Sequence, residues 1–428
     1  MEDGAQTIEA LQVFEPTRAA GLERLRRFQP AMGKRYAAGR NYDLGPGAHT
    51  KVSQLSPYTR RRLITEQEAA TAALQAHSPA QAEKFVHEVF WRTYFKGWLE
   101  RRPSVWTAYT AGLQRDIAAL GEDRKLAKRV AAAEEGRTGL DCFDAWAMEL
   151  EETGYLHNHA RMWFASIWIF TLGLPWRLGA DLFYRKLLDG DPASNTLSWR
   201  WVAGLHTKGK AYAAQAWNIA KFTQNRFEPG KGALVEAVVP LEESWETPAA
   251  GPLRDVRAFD ADAPAVLLLT EEDCRLEELE FGAGWGDFAA VATLTASALR
   301  SPRGATGEAA RAFEAGALAD QAARLSAAGA KADGAALTAL DPAARDDLIA
   351  WARDHGAAQI VTPYVTTGPL RDWFDAAAPD LAEAGLRVVE PRRDWDRLTW
   401  PYATAGFFKV KQKIPSILSR LGVEEAGA

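Results

Sequence analysis

The stretch DGDPASNTLSWRW, Asp189 to Trp201, sets two carboxylates two residues apart. An amide, Asn195, follows four residues after the second, and two indoles then flank Arg200. Read alone, it is an acidic turn followed by an aromatic helix face. Whether carboxylates, amide and oxidisable indoles share one task depends on what surrounds them.

The surroundings are rich in tryptophan. Ten of the sixteen tryptophans of the 428-residue chain lie between Trp91 and Trp217. At roughly 150 residues per domain, this length suggests two or three domains. The 47% hydrophobic and 25% charged fractions are those of a globular protein with real cores. Residues 1–250 hold 32 Lys and Arg against 29 Asp and Glu, and residues 251–428 hold 19 against 27. The front half is therefore where a basic face for phosphates is expected. No apolar run reaches the roughly 18–20 residues that span a bilayer. The start, MEDGAQTIEALQ, has no signal-type apolar segment. A cytoplasmic, membrane-free monomer is the expectation. The two cysteines, Cys142 and Cys274, exclude a four-cysteine metal or iron–sulfur site within the chain. In a reducing compartment they are expected to stay free.

SPAQAEKFVHEVFWRTYFKGWLERR reads as one long helix, with Ser78 as N-cap and Pro79 in the first turn. RTGLDCFDAWAMELEETGYLHNHARMWFASIWIFTLGL gives two more, broken near Thr153-Gly154. No strand pattern precedes about residue 234. Pro and Gly then accumulate, as in a linker. Four strand candidates follow, in PAVLLLTEED, FAAVATLTA, AAQIVTPYV and GLRVVEP. Ala-rich helical segments alternate with them, which implies a parallel sheet covered by helices. GAGWG, Gly282 to Gly286, does not match a dinucleotide fingerprint and reads as a loop. His157 and His159 in HNH are two residues apart and do not share a helix face, so no metal is expected there.

Five segments, in order, resemble the helical FAD-binding domain of the photolyase/cryptochrome family. LDGDPASNTLSWRW resembles its two aspartates, asparagine and tryptophan pair. TGYLHNHARMWFAS resembles its Thr-Gly-Trp-Met-His-Asn-Arg segment, and HEVFWRTYF its Glu-x-x-Trp-Arg-x-Phe-Tyr helix. SQLSPY resembles its phosphate segment, and Tyr36 and Arg40 fit its Tyr-x-x-x-Arg pattern. The likeness covers about residues 30–230.

The resemblance implies FAD as cofactor. Tyr36, Ser53, Gln54, Leu55, Ser56, Arg92, Arg161, Asp189, Asp191 and Asn195 are then its binding residues. Ser53 to Ser56 cradle the diphosphate; Ser56-Pro57 also suits a helix N-cap. Asp189 and Asp191 accept from the flavin imide or ribityl hydroxyls, and Asn195 sits at flavin N5 and tunes it. Arg161 is a fixed charge beside the flavin; the aspartate that the family pairs with it is here Thr171. Trp199 and then Trp176 carry electrons to the flavin. The place of a third tryptophan falls in GEDRKLAKR, leaving Trp163, Trp168 and Trp106 as candidate exits. Arg40, Glu88, Trp91, Asn158, Met162 and Trp201 receive a flipped lesion in damaged DNA, and Glu88 is the catalytic acid side chain of that pocket. (6-4) activity is disfavoured, because the family's (6-4) enzymes place histidines where Asn158 and Met162 stand.

Several residues depart from the pattern. Val52 stands at a threonine place, His159 at a DNA-facing arginine, and Lys208 and Lys210 add charge. Arg60, Arg61 and Arg62 replace a small, Gly-containing segment. The order also differs, because the family begins with the α/β antenna domain. Here VLLLTEEDCRLEEL resembles that domain's first strand and Asp-Leu-Arg loop, and TWPYATAGFFKVKQKIP its linker into the helical domain. The expectation is a circular permutation: a helical FAD-binding domain (1–230), a linker (231–258), an antenna-like Rossmann-type α/β domain (259–397) and a linker-like helical segment (398–428). The antenna pigment is not assigned. The function implied is light-driven repair of cyclobutane pyrimidine dimers in DNA, a photo-lyase activity. The alternative is a cryptochrome-like photoreceptor with a signalling partner.

Overall fold

Helix formers with apolar residues at three- and four-residue spacing fill the front of the chain, and helices form there. In the computed structural model, which describes residues 14–207, 209–279, 287–338 and 342–423, they run in the order α1 (Arg18–Phe28), α2 (Lys34–Gly39), α3 (Ser56–Arg60), α4 (Glu66–Ala76), α5 (Pro79–Glu100) and α6 (Pro103–Glu122). There follow α7 (Arg124–Glu134), α8 (Asp141–Thr153), α9 (Asn158–Ser166), α10 (Trp176–Lys186), α11 (Pro192–Val202) and α12 (Ala216–Phe222).

Helix α5 shows how the sequence sets this layer. Ser78 is extended at its start and Pro79 opens the first turn, where a missing N–H costs nothing. Phe85, Val86, Phe90, Tyr94 and Trp98 recur about once per turn and are buried. Glu88, Trp91 and Arg92, on another face, stay half-buried. Gly154 ends α8 at φ 63°, a left-handed conformation that glycine adopts without strain. The expected break between α8 and α9 is there. Helix α9 runs on into a wider turn, Ile167–Thr171. Ser56 is the first residue of α3 and Leu55 its cap, so the N-cap expected at Ser56-Pro57 lies one residue earlier. The indole-rich core holds Trp146, Trp163, Trp168 and Trp199 fully buried.

The back of the chain folds as a five-stranded parallel sheet of order β3-β2-β1-β4-β5. Its strands are β1 (Ala265–Thr270), β2 (Val291–Thr295), β3 (Ala332–Thr338), β4 (Gln359–Val361) and β5 (Arg387–Val389). Helices α13 (Glu308–Ala327), α14 (Pro342–Asp354) and α15 (Pro369–Glu383) connect them. The fold class is therefore helical plus α/β. Four strands fall in the expected segments. The fifth, β3 (ADGAALT), was not expected: its Ala, Gly and Asp are poor strand formers, and pairing with β2 makes it a strand. Central β1 is buried at every residue. GAGWG lies outside the described residues. Cys142 and Cys274 are free and buried. No helix among the described residues is long and apolar enough to cross a membrane.

The sheet's central strand runs into the helical layer. Glu271, Glu272 and Asp273 follow β1 directly and meet Arg60, Arg61 and Arg62, all of them buried. Arg60 grips Glu272 with both terminal nitrogens, at 2.9 and 3.3 Å. Arg61 lies 3.3 Å from Glu271, and Arg62 pairs with Glu66, Asp273 and Asp396 at 3.1, 3.4 and 2.7 Å. The triple arginine that departs from the family pattern thus has most of its counter-charge in the α/β half.

The chain then returns along α5 through α16 (Asp394–Thr399), α17 (Phe408–Lys411) and α18 (Ile414–Arg420). Trp395 packs on Phe90 with ring centroids 4.5 Å apart and donates to Thr93 at 2.8 Å. Trp400 lies on Gly97, where a Cβ would stand 2.5 Å from its Cδ1. Phe407 stacks on Trp91 at 4.1 Å.

Candidate functional site

The loop Asp189-Gly190-Asp191 joins α10 to α11 and collects cations from three helices. Asp189 takes Arg161 of α9 at 3.1 Å and lies 3.8 Å from Arg92 of α5. Burial would raise its carboxyl, but these two guanidinium groups hold it below the usual range. Arg161, left without the family's aspartate partner at Thr171, therefore finds its counter-charge in Asp189. Asp191 caps α11, accepting from Ser194 N–H and Oγ at 2.7 and 2.6 Å. Its other oxygen lies 3.6 Å from Arg60 and 3.9 Å from Lys96. Against burial, Lys96, Arg60 and Arg92 hold this carboxyl down at about 2. Both aspartates stay ionised at neutral pH.

Polar atoms left over here test whether the residues suit a flavin nucleotide. Asp189 Oδ1, Asp191 Oδ1, Arg92 Nη1 and Trp199 Nε1 are buried without a hydrogen bond among the described residues. Buried carboxylate oxygens without donors are rare and costly. A ligand offering hydroxyl and imide N–H donors would satisfy the two aspartates, so the residues fit the group. Asn195 is buried and spends its amide N–H on Ala180 O at 2.8 Å, which leaves its carbonyl oxygen to accept. On the phosphate segment, Gln54 is buried at φ 52° and donates to His49 O at 3.1 Å. Ser53 and Ser56 are half-buried beside it. Tyr36 packs edge-on against Phe28 and Phe85 at 6.2 and 5.3 Å.

The expected substrate residues sit on the same helices. Helix α11, which carries Trp201, packs against α5, which carries Glu88 and Trp91, and against α9, which carries Asn158 and Met162. Asn158 is exposed and the other four are half-buried. Glu88 pairs with Arg40 at 2.5 Å. Burial raises its carboxyl and Arg40 opposes this. Trp201 stacks on Tyr212 at 5.6 Å, and Tyr212 OH lies 3.4 Å from His159 Nε2. Lys208 lies outside the described residues.

Gly179 of α10 brings the indoles together. A Cβ there would stand 2.3 Å from Trp199 Cη2 and 2.9 Å from Trp168 Cε2. The rings of Trp199 and Trp168 are 6.3 Å apart. Trp176, one turn earlier on α10, meets Tyr109 at 5.7 Å, and Tyr109 meets Trp106 at 5.3 Å. Trp106 donates to Asp372 of the α/β half at 2.7 Å. Trp163 stacks instead on His159 and Trp146. Of the three candidate exits, Trp168 touches Trp199 and Trp106 connects to Trp176.

Asp43, His49 and Glu149 offer ligand atoms within 4.8 Å of one another. Asp43 already accepts from Arg226 and Trp146 at 2.7 and 2.9 Å, and Glu149 meets His49 at 2.9 Å. This is a buried polar cluster with its charges engaged. Beside it, His157 caps α9 by accepting from His159 N–H. Burial, and then the neighbouring His49, hold its imidazole down at about 3. An unfolded histidine titrates near 6.5, so between these values the unfolded chain binds a proton that the native chain refuses. His157 therefore makes stability fall as pH falls from 6.5, by up to about 1.4 kcal/mol per unit. His157→Asn keeps a cap without the titration. Denaturant midpoints at pH 6.5 and 5 should fall less in this variant than in the parent; equal falls would remove His157 as the cause.

Three contributors lay outside the sequence expectations. Lys96 stands two turns beyond Glu88, on a helix already marked for Glu88, Trp91 and Arg92, and only its buried place beside Asp191 gives it a role. Glu272 reaches the aspartate loop through Arg60 from another fold unit. Phe407 covers one face of Trp91, and its only signal was the Phe407-Phe408 pair in the linker-like segment.

Residues 85–248 match the FAD binding domain of DNA photolyase. The deoxyribodipyrimidine photo-lyase of Thermus thermophilus is 35% identical over 210 residues, 47% of this chain and 46% of that protein. The one from Agrobacterium fabrum is 32% identical over 243 residues, 55% and 47% of the two chains. Cryptochrome DASH of Gloeobacter violaceus is 29% identical over 235 residues, 54% and 45%. The chain thus spans about half the length of the curated relatives it matches. A solved bacterial class III photolyase from Agrobacterium tumefaciens aligns at 26% identity with a TM-score of 0.39, over 49% of this chain and 43% of that one. The resemblance drawn from the motifs agrees with these matches, and the family match falls mostly on the helical half of the chain.

Proposed function

We propose that this protein is a blue-light flavoprotein that splits cyclobutane pyrimidine dimers in DNA, with one non-covalent FAD. The observation that carries the cofactor is the pair of buried oxygens on Asp189 and Asp191 that make no hydrogen bond among the described residues, each in a carboxylate kept ionised by its cations. FAD, bound in reduced form, supplies the light-driven electron. Asp189 and Asp191 would accept from its hydroxyl and imide donors, Arg161 and Arg92 would supply fixed positive charge, and Ser53 to Ser56 would hold its phosphates. Asn195 offers its carbonyl oxygen to the ring.

On the substrate side, a flipped base needs apolar walls and a few polar groups aimed at its edges. Trp91, Met162 and Trp201 supply walls, and Glu88 and Asn158 the polar groups. Burial favours the protonated form of Glu88, which can donate to a pyrimidine carbonyl and stabilise negative charge as it develops there. When DNA enters, Arg40 has a phosphate as a competing partner for its guanidinium, which frees Glu88 for the base.

The test is repair itself. Reduced protein with dimer-containing oligonucleotide under blue light should restore thymines, and Glu88→Ala should lower the yield more than the FAD content. Bound FAD with neither restored thymine nor preference for damaged DNA would favour the photoreceptor reading. Electron supply has its own test. Trp199→Phe keeps most of the ring volume but is far harder to oxidise, so illuminated flavin should stay almost wholly oxidised. Reduction at the parent rate would show that Trp199 is not the donor. Trp168→Phe and Trp176→Phe then decide which contact carries the next step.

A further inference from the structure

We infer that the groove between α2, the loop 42–51 and the turn at 223–225 docks the sugar-phosphate backbone of the strand that enters the substrate site, an inference resting on the DNA reading above. The groove is a cavity of about 410 Å³, and its walls include Arg35, Gly39, Tyr42, Thr50, Lys51 and Gln224. No carboxylate lines it.

Its charge is unspent. Arg35 and Lys51 are both exposed, and neither has an ion pair among the described residues. The neighbouring Arg40 and Arg226 are, by contrast, paired with Glu88 and Asp43. Two hydroxyls, on Tyr42 and Thr50, and the Gln224 amide add hydrogen-bond donors. Two cations with neutral donors and no acid make a site for an anion.

The backbone is held in place to present these groups. Gln224 and Asn225 take consecutive left-handed conformations, φ 53° and 59°, which non-glycine residues keep only where the surroundings enforce them. Gly39 lets the Lys51 stem lie on α2, since a Cβ there would stand 3.0 Å from Lys51 Cδ. Asp43 N–H donates to Phe222 O at 2.9 Å and ties the loop to the end of α12.

The groove also leads to the substrate site. Arg40 follows Arg35 by five residues, about 7.5 Å along a helix. The next residue, Asn41, meets His159 Nδ1 through its carbonyl at 2.9 Å, and His159 adjoins Asn158 on the rim. A strand with its lesion at Glu88 and Asn158 would place flanking phosphates over Arg40 and then over the groove.

The experiment measures binding of an undamaged single-stranded oligonucleotide in the dark, by fluorescence anisotropy, between 50 and 200 mM salt. The full chain is compared with Lys51→Gln and Arg35→Gln, and FAD content is read alongside. Each variant should flatten the slope of log affinity against log salt by about 0.7, with FAD content unchanged. Parent slopes in both variants would overturn the groove and leave the DNA reading standing. A parent protein that binds no DNA would overturn both. AMP binding that Lys51→Gln abolishes, with the DNA slope unchanged, would assign the groove to a free nucleotide and overturn the strand.

Discussion

Arg60→Met should destabilise the protein by about 3–5 kcal/mol, the usual cost of removing one partner from a fully buried ion pair. Arg60 is 1% exposed. It holds Glu272 bidentately, donates to Gly190 O at 3.0 Å, and lies 3.6 Å from both Asp191 and Glu271. Methionine fills much of the same volume and satisfies none of these acceptors. Glu272 keeps Lys96 at 3.5 Å, so it is not wholly stranded, but Gly190 O is. Denaturant unfolding followed by far-UV dichroism measures the loss. Arg60→Met combined with Glu272→Gln should recover a good part of it, because the pair then leaves together. A cost for Arg60→Met under about 1 kcal/mol, typical of an exposed pair, would mean that water reaches the cluster and that the two halves are not locked through it.

The second large effect concerns the cofactor. Asp191→Asn keeps the α11 cap and the side-chain volume but removes the charge that Lys96, Arg60 and Arg92 face. A hydrogen bond to a charged group is worth about 1.5–3 kcal/mol, so FAD should bind about 10- to 100-fold more weakly. Equilibrium dialysis with free FAD measures this directly. Far-UV dichroism should stay that of the parent, which separates lost affinity from lost fold. Parent affinity in Asp191→Asn would remove the carboxylate from the flavin site.

How far the fold was legible depended on how local its causes were. Helix α5 and the break at Gly154 are written in short-range periodicity and one left-handed glycine, and both were visible. Strand β1 was visible because it is uniformly apolar. Strand β3 was not, because its strand character comes from β2 beside it. In the candidate site, Asp189, Asp191, Asn195 and Trp199 were marked by the resemblance of one short segment to the family's signature. Arg60 to Arg62 stood out as a departure, but near them in sequence only Glu66 supplies a counter-charge, to Arg62. Most of their counter-charge lies in a different fold unit, and charge complementarity across such a distance has no period to detect. Phe407 was hidden for the same reason: its role is a contact with Trp91, far away in the chain.

That separation also bears on how the protein is made. Arg60 to Arg62 leave the ribosome roughly 210 residues before Glu271 to Asp273. At about 5–20 residues per second, the gap lasts on the order of 10–40 s. The helical half is complete near residue 230, so for the last roughly 2–8 s of that gap it stands finished while its three buried guanidinium groups lack most of their counter-charge and cannot leave water cheaply. Closure around the aspartate loop must then wait for the sheet's central strand. The late-made half acts as a clasp on the early one, and a nascent chain stalled before Glu271 is a ready substrate for chaperones or proteases.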